Sequence, residues 1–231
     1  MKIAGYEKIS LQDYPNHIST IIFTQGCNIK CPFCQNSTLI PLEAENLIEE
    51  KEVLDYLSLR KNLLNGVTIS GGEPTLQKDL KEFITKIKEI GLDVKLDTNG
   101  INYNLLKELI EEKKIDYVAM DIKNSFSKYS KTCGMAKMNM DNINKSIELL
   151  KENKVDYEFR TTVINELHTL QDILEIIKMI GDSKYYLQNF RSSEFVLDKT
   201  LTEIPNDKLL LWNEVLKKYA NVYIRGINKE D

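Results

Sequence analysis

Seven β-rich segments alternate with six helical segments along this chain of 231 residues, and the alternation limits the fold more than any other feature. The predicted strands are His17–Phe23, Val67–Ser70, Asp93–Asp97, Ile115–Asp121, Tyr157–Val163, Lys184–Asn189 and Val222–Ile224. The predicted helices are Leu47–Leu59, Lys78–Ile90, Leu105–Lys113, Asn142–Lys151, Leu170–Ile180 and Asp207–Lys218. Strands that alternate with helices form a parallel sheet through right-handed crossovers. We therefore predict an α/β fold, a partial (β/α)6 TIM-like barrel of parallel strands with outer helices; an open doubly wound sheet is the alternative.

Net charge and the distribution of apolar residues argue against several classes of function. The chain carries 31 Lys and Arg against 35 Asp and Glu, a formal net charge of -4, whereas non-specific nucleic-acid binding needs a basic face. No apolar run approaches the ~20 residues of a membrane span, and the N-terminal segment lacks the apolar core of a signal peptide. We therefore predict one cytoplasmic domain over residues 1–231, with neither nucleic acid nor membrane as a partner.

Three of the four cysteines, Cys27, Cys31 and Cys34, lie within eight residues and have the spacing C-x3-C-x2-C. In a reducing compartment such crowding indicates a metal site and not a disulfide framework. Three thiolates can hold three corners of a four-iron cluster and leave the fourth iron open for a small molecule, whereas a closed cluster has four protein ligands. The alternative is a zinc knuckle completed by Cys133, which is otherwise expected to be a free thiol.

Glycines, polar groups or charges mark six consecutive predicted strands near their ends, although the strand bodies are apolar. The cysteines follow the first strand, and the later strands carry Gly71-Gly72-Glu73-Pro74, Asp97-Thr98-Asn99-Gly100, Asp121 with Lys123, Arg160, and Gln188 with Arg191. In barrels and open sheets alike, ligands bind at the carboxyl ends of parallel strands. We therefore expect one cavity lined by these residues. The alternatives are ordinary turn chemistry for the glycine-containing segments and structural ion pairs for the charged residues.

The segment CNIKCPFC resembles the cysteine loop of radical S-adenosylmethionine (SAM) enzymes, and GGEP resembles their second motif. The likeness runs over most of the chain and is closest to activating enzymes of glycyl-radical enzymes, in particular those of anaerobic ribonucleoside-triphosphate reductases. The segments that carry it are SLQDYPN, FTQGCN, ISGGEPTLQ, VKLDTNG, YVAMDIK, YEFRTTV and YYLQNFR. The chain departs from the common activase pattern at Asp13-Tyr14-Pro15-Asn16, where Asp-Gly-Pro-Gly is usual, and at Gln35, where His is frequent.

The resemblance implies two cofactors: a [4Fe-4S] cluster with Cys27, Cys31 and Cys34 as its protein ligands, and SAM at the open iron. It implies an oxidoreductase in which reductive cleavage of SAM yields a radical that takes hydrogen from a backbone glycine of a partner glycyl-radical enzyme. Reduced flavodoxin or ferredoxin is the implied electron donor. The residues implied to contact SAM are Phe33, Gln35, Gly71, Gly72, Glu73, Asp97, Thr98, Asn99, Asp121, Lys123, Arg160 and Gln188.

These residue types suit SAM for physical reasons. The glycines let the backbone approach the methionyl group, because they have no Cβ, and Phe33 offers a flat apolar surface to adenine. The Asp97–Asn99 turn can hydrogen-bond the ribose hydroxyls or the amino group. Lys123 and Arg160 are candidates to bind the carboxylate.

The resemblance also implies a possible monovalent cation beside that carboxylate, at Asp97, Thr98 and Asp121. Two aspartates next to a third carboxylate repel one another in a partly dry site, and a cation would relieve the repulsion. Neutralisation by Lys123 or Arg160 alone is the alternative.

Two other functions stay open from the sequence. One is a radical SAM enzyme that acts on a small molecule, similar to deazapurine synthases, and the other is a non-catalytic metal-binding module. The two histidines are less informative: His17 has no partner pattern and is expected to be structural. His168 follows the fifth strand, where it either faces the site or supports the fold.

Overall fold

The computed structural model describes residues 1–227, and a single eight-stranded sheet runs through them. Its strands are β1 (Ile3–Ser10), β2 (Ser19–Thr24), β3 (Gly66–Gly71), β4 (Asp93–Thr98), β5 (Tyr117–Asp121), β6 (Asp156–Val163), β7 (Tyr185–Asn189) and β8 (Val222–Arg225). They lie side by side in sequence order; β1 pairs antiparallel with β2, and every later pair is parallel. The predicted α/β fold is confirmed. The sequence did not reveal β1, because Gly5, Glu7 and Lys8 interrupt its apolar pattern.

Helices connect the successive parallel strands. They are α1 (Glu50–Arg60), α2 (Leu80–Ile90), α3 (Tyr103–Glu111), α4 (Phe126–Thr132), α5 (Asp141–Lys151), α6 (Leu170–Ile180) and α7 (Asn206–Leu216). All six predicted helices are present with slightly shifted ends; α4 was missed because seven residues are too few to show an amphipathic period. Within residues 1–227 the longest helices have eleven residues, and none has the length and apolarity that crossing a membrane requires.

Alternate residues of the parallel strands face two different environments, because side chains point to opposite faces along a strand. One set is apolar, fully buried, and joined with the helix side chains in the hydrophobic core; it includes Ile22, Ile69, Leu96, Met120 and Phe159. The other set lines the inside of the barrel and is polar; it includes Thr68, Lys95, Tyr117 and Glu158, each buried. Burial of each large aliphatic side chain contributes about 1.5–3 kcal/mol. The outer face therefore stabilises the sheet and leaves the inner face for charged groups.

An aromatic plug lies at the amino ends of the strands. Tyr14 is buried and stacks on His17 with ring centroids 3.8 Å apart. A Cβ on Gly66, the first residue of β3, would lie 2.7 Å from the Tyr14 ring, so only glycine leaves room for the plug. The His17 ring contacts the Pro15 carbonyl through Nδ1 at 2.7 Å and Asp93 through Nε2 at 3.2 Å. The segment that departs from the activase pattern thus lies at the end of the sheet opposite the predicted site, and His17 is structural.

Candidate functional site

One cavity opens at the carboxyl ends of the parallel strands and has about 970 Å³ of space between its walls, its open mouth included. Every residue predicted to bind the metal or SAM lines it: Cys27, Cys31, Phe33, Cys34, Gln35, Gly71, Gly72, Glu73, Asp97, Thr98, Asn99, Asp121, Lys123, Arg160 and Gln188. The sequence did not single out five further lining residues, Ile29, Asn36, Ile40, Ser70 and Thr162. Arg191, expected with the sixth strand, is exposed and donates to the Gly226 carbonyl at 3.2 Å.

The cysteines lie in a loop, residues 26–40, which we term the cysteine loop. Its base is closed by the N–H groups of Gly26 and Cys27, which donate to the carbonyls of Leu39 and Ile40 at 2.8 and 3.1 Å. Further along the loop, the Lys30 N–H donates to the carbonyl of Cys133, the residue after α4, at 3.3 Å. These backbone bonds fix the path of the loop that carries the three thiols.

The thiols of the cysteine loop are held in their protonated form. Burial raises the pKa of Cys27 to about 11 and also raises the pKa of Cys34. The pKa of Cys31 is raised first by its contact with the Cys133 thiol and then by burial. The Lys123 ammonium opposes the rise in all three. Because a metal binds the thiolate, metal binding at this loop must release protons.

Cys133 is a free, buried thiol, as the sequence predicted. It contacts Cys31 but is not among the residues that line the cavity, so the three predicted ligands face the cavity without it. Within residues 1–227, no three His, Cys, Asp or Glu side chains come close enough together to bind a single metal ion. This arrangement differs from the four-sulfur zinc site that the sequence left open, in which all four cysteines would surround one ion.

Glu73 joins the loops that follow β3 and β4. Its carboxylate is 1% exposed and accepts from Thr75 N–H (3.1 Å), Thr75 Oγ1 (2.6 Å), Thr98 Oγ1 (2.8 Å) and Asn99 N–H (2.7 Å). Its own N–H donates to the Gly26 carbonyl of the cysteine loop at 2.8 Å. Burial outweighs these donors and raises the pKa of Glu73. Glu73 therefore contributes to the cavity by bracing three loops against one another.

The two glycines before Glu73 are explained by contacts within the chain. A Cβ on Gly72 would lie 2.1 Å from the Gly26 carbonyl oxygen, so a side chain there would push the cysteine loop away. Gly71 has φ +110°, and its Cβ would lie 2.4 Å from the Thr24 backbone nitrogen. These contacts are a requirement of the fold itself, and close approach to a ligand, the reason inferred from the sequence, stays a prediction.

The side chains of the turn after β4 form hydrogen bonds within the turn and to the cysteine loop. The Asn99 amide donates to Asn28 Oδ1 at 2.7 Å, and Asn99 Oδ1 accepts from the Ile101 N–H at 3.0 Å. Thr98 Oγ1 accepts from the Gly100 N–H at 3.1 Å. The turn chemistry considered as an alternative is therefore present, and it also links this turn back to the cysteine loop.

A chain of five charged side chains crosses the floor of the cavity. Asp97 is paired with Lys95 and, at 3.2 Å, with Arg160. Asp121 is paired with Arg160 and Lys123, both at 2.9 Å. Three cations thus face two carboxylates; Lys95 is buried and does not line the cavity, and Glu73 adds a third carboxyl group to the lining. The sequence missed Lys95, although its spacing from Asp97, two residues along a strand, is the same as that between Asp121 and Lys123.

Both aspartates are ionised despite their burial. For Asp121, burial opposes ionisation, but Arg160 and Lys123 outweigh it and hold the pKa at about 2. For Asp97, burial is outweighed by Arg160 and Lys95, and its pKa is also lowered. The repulsion that motivated a monovalent cation is therefore offset by the chain's own cations, as the alternative supposed. The cation itself stays a prediction.

His168 supports the site from behind and does not line it. Its Nδ1 accepts from the Ile164 N–H at 3.1 Å, which assigns the proton to Nε2, and Nε2 donates to the Lys123 carbonyl at 2.9 Å. Burial lowers the pKa of His168, so the ring is neutral. Of its two possible roles, the structure gives His168 the structural one, and through it fixes the backbone of Lys123.

The remaining lining residues supply an apolar wall and free polar groups. Phe33 is buried against the cavity together with Ile29. Gln35 donates from Nε2 to the Arg191 carbonyl at 2.8 Å, so its amide holds the loop after β7. Within residues 1–227 the Gln188 side chain makes no hydrogen bond and is available to a ligand. Three thiols, an apolar wall and two cations, Lys123 and Arg160, together fit an iron–sulfur cluster and an anionic carboxylate ligand with an aromatic base.

Comparison with known proteins agrees with this fit. The Radical SAM superfamily matches residues 21–181. A protein of Methanocaldococcus jannaschii, provisionally named a glycyl-radical enzyme activating enzyme, is 37% identical over 235 residues, covering 98% of this chain and 96% of the relative. The pyruvate formate-lyase-activating enzyme of Clostridium pasteurianum is 29% identical over 216 residues, covering 91% of this chain and 87% of the relative.

Among solved structures, Streptococcus suis SuiB bound to S-adenosylmethionine superposes with a TM-score of 0.71 at 19% identity. The match covers 88% of this chain and 49% of SuiB, so this chain spans about half the length of that protein. At this identity the superposition shows that the partial-barrel fold is shared.

Proposed function

Because this chain belongs to the radical SAM superfamily, we propose that it activates a glycyl-radical enzyme by removing a hydrogen atom from a backbone glycine of that partner. The observation that carries the proposal is the 37% identity, along 98% of this chain, to a relative provisionally named for that activity. When bound, the [4Fe-4S] cluster and SAM supply the organic radical that abstracts the hydrogen atom. The chain itself supplies binding, orientation and charge.

In this proposal Cys27, Cys31 and Cys34 are the only protein ligands of the cluster. Their number supports the assignment, because three ligands leave one iron for SAM. They line the same cavity as the strand-end residues, and Cys133 does not.

The floor of the cavity would bind the SAM carboxylate. Arg160 and Lys123 both line the cavity, where they face Asp97 and Asp121. In a site with little water, each of these two cations attracts a carboxylate more strongly than it would in solvent. Phe33 would lie against the adenine, and the free amide of Gln188 would donate to or accept from the ligand. The turn after β4 would contact SAM mainly by van der Waals packing, because its side chains are already hydrogen-bonded.

For the partner we propose an anaerobic ribonucleoside-triphosphate reductase. The support is the likeness of the strand-end segments, such as VKLDTNG and YYLQNFR, to the activating proteins of those reductases. The relatives reported above are named for glycyl-radical enzymes in general and for pyruvate formate-lyase.

The test is to incubate the reduced, cluster-containing protein and SAM with an anaerobic ribonucleotide reductase, and separately with a pyruvate formate-lyase, and to record electron paramagnetic resonance spectra. We expect a glycyl-radical doublet on the reductase, and none when its radical glycine is replaced by alanine. A doublet on the lyase alone would show that the proposed partner is wrong and that the proposed activity is right. SAM cleavage without a doublet on either protein would contradict the activity and favour a small-molecule substrate.

A further inference from the structure

One side of the cysteine loop is continuous with the segment that connects α4 to α5. The Lys30 N–H donates to the Cys133 carbonyl at 3.3 Å, and a Cβ on Gly134 would lie 2.2 Å from the Lys30 carbonyl oxygen. The two backbones therefore touch, which brings the exposed Lys30 beside the exposed surface of the segment that carries Lys131, Met135 and Lys137. We call this surface, made of Lys30, Lys131, Met135 and Lys137, the lysine face.

The lysine face is basic on a protein that is acidic overall. Between Asp121 and Asp141 the chain contains four lysines and neither Asp nor Glu, and between Asp13 and Glu43 it contains Lys30 and no acidic residue. The positive charge is therefore concentrated beside the loop that carries the cluster ligands.

The lysines of this face are exposed and uncompensated. Lys30, Lys131 and Lys137 are all exposed, and none of them forms an ion pair with any residue that the structure describes. Lys128 is nearby but is paired with Asp172 at 2.6 Å, so we leave it out of the face. Met135 is 37% exposed between the lysines and adds an adaptable apolar contact.

Reduction of the cluster requires an electron from another molecule. Cys31 is 6% exposed and Cys133 is fully buried, whereas Cys27 and Cys34 are half-buried at the cavity. A carrier that leaves the mouth of the cavity free for SAM and the substrate would approach beside the cysteine loop. We propose that the lysine face is the docking surface for a small, acidic, one-electron carrier protein that reduces the cluster. The proposal rests on the cluster and on membership of the superfamily, and it does not depend on which protein carries the substrate glycine.

Charge complementarity is the reason for choosing an acidic carrier as the occupant. Clusters of one charge sign raise association rates by about 10–1,000-fold for a partner of the opposite sign. Electron-transfer encounters are also among the smallest specific interfaces, which suits a docking surface centred on three lysines and one methionine. A uniformly charged rim around one apolar side chain favours fast, weak docking over a permanent complex.

The experiment compares two triple variants that change the net charge equally. In the first, Lys30→Glu, Lys131→Glu and Lys137→Glu reverse the lysine face. In the control, Lys61→Glu, Lys178→Glu and Lys217→Glu reverse three exposed lysines that precede β3, β7 and β8, at the opposite end of the sheet; none of the three has an ion-pair partner among residues 1–227. Iron content and thermal unfolding of each variant show whether the fold and the cluster are retained. If the first variant loses either, a triple Lys→Gln variant at the same three positions replaces it.

The measurement is the rate of cluster bleaching after anaerobic mixing with reduced flavodoxin, and separately with a reduced two-cluster ferredoxin, at several salt concentrations. Photoreduced deazaflavin, a small reductant that needs no docking surface, is the reference. We expect the lysine-face variant to lose about 10-fold or more in rate with at least one carrier, to lose most of its salt dependence, and to keep its rate with deazaflavin. The control variant should stay within about twofold of the wild type, because screening removes charge effects beyond about 10 Å.

Three results would overturn the proposal. Equal rates for the two triple variants with both carriers would show that the lysine face is not the docking surface. No acceleration of wild-type reduction by either carrier would show that such proteins do not dock there. Normal reduction combined with lost activation of a glycyl-radical enzyme would assign the face to that enzyme instead. Failure of SAM cleavage even with deazaflavin would count against the proposed activity and not against the docking surface.

Discussion

Replacing Glu73 by glutamine tests whether the brace between the three loops prepares the SAM site. In the wild type, one carboxylate oxygen accepts from both Thr75 donors and from Thr98, and the other accepts from the Asn99 N–H alone. If the glutamine oxygen accepts from the Thr75 and Thr98 donors, its NH2 group has to point toward the Asn99 N–H. One buried N–H then loses its acceptor and faces another donor, a loss of about 1–3 kcal/mol.

We expect this loss to appear in two measurements on Glu73→Gln. The free energy of unfolding of the apo protein, from urea denaturation, should fall by about 1–3 kcal/mol. The affinity of the cluster-containing protein for SAM, measured by anaerobic equilibrium dialysis, should fall about 10-fold, because 1.4 kcal/mol corresponds to one decade. Iron content should stay unchanged, since the Glu73 N–H, which contacts the cysteine loop, is retained.

A matched control is Glu82→Gln, because Glu82 lies exposed on α2 and forms no ion pair within residues 1–227. It should leave both the stability and the SAM affinity unchanged. The reasoning would be refuted by wild-type SAM affinity in Glu73→Gln at reduced stability, because the brace would then serve the fold alone. Equal behaviour of the two variants in both assays would show that the hydrogen bonds of Glu73 contribute nothing.

Three further changes have definite expected outcomes. Gly72→Ala places a Cβ 2.1 Å from a carbonyl of the cysteine loop and should reduce both iron incorporation and thermal stability, whereas Gly5→Ala, with no atom within 4 Å, should change neither. Arg160→Met leaves buried aspartates less compensated and should cost about 3–5 kcal/mol at pH 7 in urea unfolding. Because the wild-type pKa of Asp121 is lowered to about 2, that difference should be full at pH 7 and shrink as the pH falls toward 2, where both proteins protonate the aspartate; a pH-independent difference would exclude the charge as its cause. Cys133→Ala should keep close to four irons per chain after anaerobic reconstitution, and loss of iron would show that three ligands do not suffice.

The residues that form the cavity could be predicted because local patterns and topology are linked by geometry. Alternating strands and helices produce a parallel sheet, and a parallel sheet brings all its carboxyl strand ends to one edge. Residues as far apart in sequence as Cys27 and Gln188 therefore line one cavity without any knowledge of their contacts. The same reasoning could not reveal β1 or α4, because one has a broken apolar pattern and the other is two turns long.

What each lining side chain does was decided only by the tertiary structure. The sequence showed Glu73 as a candidate SAM ligand, but its four donors come from its own loop and from the turn after β4. Arg160 could be assigned to SAM or to an ion pair, and the register between β5 and β6 places it between Asp97 and Asp121. Apart from Thr75, which follows Glu73 by two residues, these partners lie 25 to 63 residues away in sequence, so no local period encodes them. Local chemistry determined which residues reach the cavity, whereas neighbours brought in by folding determined which of their charges and hydrogen bonds remain free for a ligand.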